Sequence, residues 1–154
     1  MHPRIKFVFA LTAAAFAGLQ AGAYLFSDTQ PRSYLAVGRC DRTCSGANDL
    51  RGMLTSVGIQ RVPKGVPLVV KESDQCIAIR HPYSPQRLHF VFFPKRDIFN
   101  IGEIASGDEP YVMGCLAMLG ELAREHKMTS YRVYSNGPVE QDITYLHFHL
   151  VSGD

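Results

Sequence analysis

The hydrophobic pattern changes period twice along the chain. From Phe7 to Phe26 only Thr12 and Gln20 interrupt an apolar run. About 20 helical residues rise roughly 30 Å, the thickness of a bilayer's hydrocarbon core. The run has no amphipathic period and precedes a polar stretch, Ser27 to Ser33, which separates it from a soluble core. From residue 33 to 66, Gly38, Gly46, Gly52, Gly58, Pro63 and Gly65 break any repeat, so this part reads as irregular with one short helix around Asn48 to Ser56. Regular patterning begins at Val66. Pro67–Glu72 reads as a strand, Ser73–Gln75 as a turn and Cys76–Arg80 as its hairpin partner. After a Pro- and Ser-containing loop (81–86), Leu88–Phe93 forms a third strand that Pro94 stops.

Asp97 to Ala105 predicts a helical turn, and Asp108 or Glu109 opens one long helix ending near Lys127. Its apolar stripe runs through Val112, Leu116, Leu119 and Ala123, with Met113 and Met118 as core filler beside it. Strands return at Ser130–Ser135 and Asp142–Val151. The order predicts an α+β fold, an antiparallel meander sheet of about five strands with one long helix packed on it. In the last strand, period two puts Thr144, Leu146, Phe148 and Leu150 on the apolar face and Tyr145, His147, His149 and Val151 on the other. His147 and His149 then project side by side, about 7 Å apart at the backbone, and can close on one phosphate or one metal.

Charge and composition change this picture mainly at the N-terminus. Arg4 and Lys6 precede the apolar run, and Ala21-Gly22-Ala23 supplies small residues near its end. That is the layout of an export signal, or of an anchor whose basic flank stays in the cytoplasm. Residues 1–26 are therefore a signal peptide or transmembrane anchor, 27–65 a linker and N-terminal extension, and 66–154 the folded domain. The expected location is secreted, periplasmic or on the outer side of a membrane. A net charge of +2 with scattered Lys and Arg excludes a nucleic-acid footprint. Export permits disulfides. Cys40 and Cys44 are close enough to pair or to offer two soft metal ligands, whereas Cys76 and Cys115 sit among apolar neighbours and read as small buried hydrophobes.

The segment Tyr145-Leu146-His147-Phe148-His149-Leu150-Val151 resembles the His-x-His-x-His-x-x signature of the histidine triad superfamily, with Tyr145 in place of the first histidine. Leu88-His89-Phe90-Val91-Phe92-Phe93-Pro94-Lys95-Arg96 is similar to the family's His-Phe strand ending in Pro-Lys-Lys. Cys76-Ile77-Ala78-Ile79 precedes it at the spacing of the nucleoside phosphoramidase branch. Asn136 and Gln141 stand where the family places an Asn and a Gln. The resemblance covers about residues 66–152. It implies a nucleotide-binding hydrolase or nucleotidyl transferase that cleaves at an α-phosphate through a covalent nucleotidyl-histidine. His147 would be the nucleophile, since a neutral imidazole attacks phosphorus and its phosphoramidate is labile. His149 would donate to a phosphate oxygen. Asn136 and Gln141 would position phosphate or leaving group, His89 would line the pocket, and Ile79 and Phe90 would touch the base. Relatives usually dimerise through the long helix and a strand edge, so a homodimer is the implied assembly.

Three positions depart from the family pattern. Tyr145 replaces a histidine used chiefly for packing and for its carbonyl. Asp142 stands where a Ser or Thr binds phosphate, and a carboxylate there repels an anion. His81 stands where an acidic residue holds ribose hydroxyls. A register with His149 as nucleophile stays open, although it breaks the spacing to Gln141. The alternative to an enzyme is a catalytically impaired nucleotide- or zinc-binding module, in which Cys40, Cys44 and His89 would contribute to a tetrahedral zinc set. An external location points to a nucleotide-linked lipid or sugar, or a scavenged nucleotide, as substrate.

Overall fold

The computed structural model describes residues 3–30, 46–61 and 65–153, so Cys40 and Cys44 lie outside the described residues. The apolar run forms α1, Pro3–Phe26, whose Ile5–Phe26 window is long and apolar enough to cross a membrane and is not buried at all. Its C-terminal end is tied to the rest of the molecule. The Arg61 guanidinium lies over the Tyr24 ring at 4.8 Å and donates to Ser27 Oγ and the Asp28 carboxylate. Gln30 donates from its backbone N–H to Asp97 Oδ2 at 2.7 Å and from Nε2 to the Asp97 carbonyl at 2.6 Å.

Five antiparallel strands form one sheet: β1 (Val69–Glu72), β2 (Cys76–Arg80), β3 (His89–Pro94), β4 (Tyr131–Tyr134) and β5 (Phe148–Ser152), in the spatial order β1-β2-β3-β5-β4. The first three strands follow one another as a meander. Ser73 closes the first hairpin, with its Oγ accepting from the Cys76 N–H at 3.1 Å. The helix α3, Glu109–Glu125, then carries the chain to the far edge, and β5 returns between β3 and β4. A short 3-10 turn, Ile101–Glu103, falls within the segment expected to contain one.

Alternation divides the core in two. Cys76, Ala78, Phe90, Phe92, Leu146, Phe148 and Leu150 face α3, with Leu119 and Leu122 among its contributions. Ile77, Val91, Phe93 and Tyr145 face the other way, where Ile59 covers them. Ile59 belongs to α2, Gly46–Arg61, which replaces the expected short helix at 48–56 and gives the sheet a second helical layer. Fully burying one such aliphatic or aromatic side chain is worth about 1.5–3 kcal/mol.

Three expectations need correction. Cys76 and Cys115 are buried, yet they are joined as a disulfide that fastens β2 to α3. With Cys115 held on the sheet, the buried stripe of α3 runs through Cys115, Met118, Leu119, Leu122 and Ala123. Val112 is partly buried at its edge, while Leu116 and Met113 are exposed, so Met113 is not core filler. The last strand is also shorter than 142–151. Residues 141–147 bend instead, because α2 competes for their backbone groups: Thr144 donates its N–H to the Asn48 carbonyl at 3.3 Å, and Asn48 Nδ2 donates to the Gln141 carbonyl at 3.0 Å. This approach requires glycine at Gly52, where a Cβ would lie 2.6 Å from the Thr144 carbonyl oxygen. Tyr145 and Leu146 still project to opposite sides, so the inferred faces survive the loss of strand geometry.

Candidate active site

Pairing of β5 with β3 sets His149 beside Val91 and Val151 beside His89, and pairing with β4 sets Tyr134 opposite His149. His147 lies one residue before β5 in the bent segment. The result is a chain of four imidazoles on the face away from α3. The His81 and His89 rings stack with centroids 4.4 Å apart and nearly parallel planes. His89 and His149 follow at 5.1 Å, and His149 and His147 meet edge to face at 4.9 Å. Two aromatic rings wall this chain: Tyr134 stacks on His149 at 4.6 Å and Phe93 on His147 at 5.5 Å. His89, His147 and His149 are buried, whereas His81 is half-buried.

The hydrogen bond at His147 fixes its tautomer. Nδ1 is 2.7 Å from the Tyr145 carbonyl oxygen, which only accepts, so Nδ1 carries the proton and Nε2 keeps its lone pair. Tyr145 is itself fixed, its hydroxyl donating to the Pro94 carbonyl at 2.5 Å. Leu146 donates its N–H to the Ile98 carbonyl at 2.6 Å. The segment 94–98 therefore braces both residues that precede His147. Asp97, expected only to open a helical turn, is buried in this segment and accepts from the Gln30 N–H.

His89 Nε2 and His149 Nδ1 share a hydrogen bond of 2.8 Å, and their tautomers are interdependent. Their outward nitrogens, His89 Nδ1 and His149 Nε2, are buried without a partner among the described residues, as is Gln141 Nε2. A buried polar atom left so costs about 1–3 kcal/mol unless a ligand or water satisfies it. Burial pushes the His149 imidazole down to about 3, helped by the neighbouring charges of His147, His89 and His81. Burial, followed by the charge of His81, pushes His89 down to about 4. Burial also lowers His147, while its bond to the Tyr145 carbonyl and the charge of Asp142 act in the opposite direction. All three are neutral at pH 7, the state a nitrogen nucleophile requires.

The other expected residues take defined places. Gln141 is buried at the start of the bent segment and Asp142 beside it is exposed. Asn136 is half-buried after β4. His81 Nδ1 accepts from the Tyr83 N–H at 3.3 Å while its face covers His89. Ile79 lines an apolar cavity of about 410 Å3 between α2 and the sheet, which reaches Phe93 and thus the flank of His147. Phe90 points to the α3 side, where it meets His126 at 5.1 Å, and so is not among the groups near the site. Sequence reasoning missed Tyr134 and Phe93. Alternation in the third strand places Phe93 on the face of His89, but Tyr134 needed the β4–β5 register.

No family model matches the sequence. Among solved structures the chain is similar to a HIT family hydrolase from Clostridium thermocellum, at 23% identity and a TM-score of 0.57, covering 64% of this chain and 90% of that one. A HIT family hydrolase from Legionella pneumophila gives 23% identity and a TM-score of 0.56, with 62% and 90% covered. The histidine triad nucleotide-binding protein from Candida albicans gives 18% and 0.54, with 64% and 75% covered. At these identities the likeness is one of fold, and the expected histidine triad architecture is the one observed.

Proposed function

We propose that this histidine triad fold houses a hydrolase or nucleotidyl transferase that cleaves a nucleotide-linked phosphate through a covalent intermediate on His147. The observation that carries the reading is the hydrogen bond from His147 Nδ1 to the Tyr145 carbonyl, which leaves Nε2 as a neutral, lone-pair-bearing nitrogen. In the proposed reaction Nε2 attacks phosphorus and the leaving group departs with the bonding pair. His149 Nε2, when it carries the proton, donates to a phosphate oxygen as charge grows. Water then releases the phosphoryl group from the imidazole. Gln141, whose buried amide nitrogen has no partner among the described residues, and Asn136 would orient phosphate or leaving group. Asp142 is exposed, so water screens its repulsion of an anionic substrate. The nucleotide-binding protein of the same fold supports the substrate class.

The chain works outside the cytosol in this reading, exported or anchored through α1. Both the bilayer-length helix and the Cys76–Cys115 disulfide support it. The outer edge of β4 is exposed along its whole length, which supports a homodimer formed at that edge. Sedimentation of the purified chain checks this, and a single monomeric species would count against it.

The reading is tested by trapping. The full chain is incubated with adenosine phosphoramidate labelled at phosphorus, quenched and resolved under denaturing conditions. Label should attach to the wild type and vanish with His147→Ala, while His149→Ala labels about 10²–10³ times more slowly. Label lost only with His149→Ala moves the nucleophile to that residue. If no variant labels, the covalent mechanism is wrong.

A further inference from the structure

On the α3 side of the sheet, away from the imidazoles, a small cavity of about 140 Å3 lies at the end of the long helix. Three separate segments wall it: Arg87 and Leu88 before β3, residues 126–130 after α3, and Ser152 at the end of β5. Leu88 and Met128 pack against the core cluster under α3. The other lining residues are three basic ones and three with hydroxyls, and no carboxylate lines the cavity among the described residues. Arg87 and Lys127 have no ion-pair partner among those residues either. Ser152 is buried, and its Oγ accepts from the Leu88 N–H at 3.4 Å, which leaves its own proton to donate. A concave site so rich in donors and positive charge lacks the acceptors and negative charge that would balance it.

The backbone at Lys127 is a second observation. The Lys127 N–H donates to the Arg124 carbonyl at 3.0 Å, and the Met128 N–H to the Ala123 carbonyl at 2.9 Å. This pattern closes a helix through one left-handed residue, a position that glycine fills most easily because it has no Cβ. Here Lys127 fills it, with a φ of 52°. Backbone strain of this kind persists where the side chain is needed. A cation also suits the negative end of the α3 dipole. That accounts for His126, but not for Arg87, which arrives from another loop, nor for lysine at the one position that favours glycine.

We propose that this cavity is a second anion site, which takes a phosphate group as inorganic phosphate or as the end of a small phosphate monoester. Arg87 and Lys127 supply the charge, and Thr129, Ser130 and Ser152 supply hydroxyl donors to oxygens that only accept. The site stands on the opposite face from His147 and does not depend on the histidine reading.

The experiment is a calorimetric titration of the full chain in detergent micelles with inorganic phosphate, at an ionic strength held constant with chloride. The wild type should bind phosphate. Arg87→Gln and Lys127→Gln should each weaken that binding by about tenfold, and the double variant should remove one bound phosphate per chain. Lys127→Gly separates a ligand from a helix cap: without phosphate its Tm should match or exceed that of the wild type, while added phosphate should raise it less. A parallel titration with glycerol 3-phosphate distinguishes the sources. Tighter binding than inorganic phosphate supports a monoester, and weaker binding supports the free ion. A wild type that binds no phosphate overturns the proposal, and so does binding that the double variant retains unchanged. Binding lost only with His149→Ala overturns it as well, since the anion would then sit among the imidazoles.

Discussion

At the scale of single residues, Tyr145 does two jobs that separate cleanly. Its carbonyl sets the tautomer of His147, and its hydroxyl holds the Pro94 carbonyl. Tyr145→Phe keeps the first and removes the second, stranding a buried acceptor at a cost of about 1–3 kcal/mol. The denaturation midpoint should fall accordingly while covalent labelling of His147 persists; loss of labelling would mean the hydroxyl also positions the ring. The buried histidines make stability depend on pH. The unfolded chain takes up protons near 6.5, whereas folded His89 and His149 resist protonation down to about 4 and about 3. In that window the unfolded state binds more protons, so stability is full above pH 6.5 and is lost as pH falls toward 4 and then 3. The slope is at most about 1.4 kcal/mol per pH unit for each group. Urea titrations at pH 7, 6 and 5 should show this fall, and His89→Phe, which no longer titrates, should flatten it. That His147 and His149 share a face was legible from their spacing, although only His149 lies in the last strand. Their burial was not, because the rings that cover them, Tyr134 and Phe93, come from strands whose register no local pattern states.

Among the elements, α2 is where the sequence was hardest to read. Its glycines suggested irregular chain, but Gly52 is there to admit the Thr144 backbone. Gly52→Ala should therefore destabilise the fold by about 1–3 kcal/mol, although alanine is the better helix former by nearly 1 kcal/mol. A measured gain in stability would show that the bent segment moves aside without cost. The same contact explains why the last strand begins six residues later than alternation suggested: the pattern reports which side a residue faces, not which partner takes its backbone groups. The long helix was found within two residues of its true ends, and Leu119, Ala123 and Met118 are buried as expected, whereas Leu116 and Met113 are not, since the disulfide to Cys76 turns the Cys115 side of α3 onto the sheet. Replacing Cys76 and Cys115 together by Ala should lower stability by about 2–5 kcal/mol, and reducing agent should do the same to the wild type alone.

For the whole molecule, the sheet and its long helix could be anticipated from the chain, whereas the joint between the N-terminal helix and the domain could not. That joint depends on contacts between residues 67 positions apart. Full-length protein should partition with membranes and resist alkaline carbonate extraction, and removal of residues 1–26 should release it into the soluble fraction. A chain found in the soluble fraction with those residues cleaved would identify α1 as an export signal alone.

The stretch from Pro94 to Ile98 touches both ends of this arrangement. Through Asp97 it holds Gln30 at the exit of α1, and through the carbonyls of Pro94 and Ile98 it holds Tyr145 and Leu146. It is a short bridge with the exit of α1 on one arm and the seat of His147 on the other. In the proposed reading, with α1 seated in a bilayer, tilting or pulling that helix bears on the aim of His147, so bilayer thickness and lateral tension become settings of the chemistry as well as of the address.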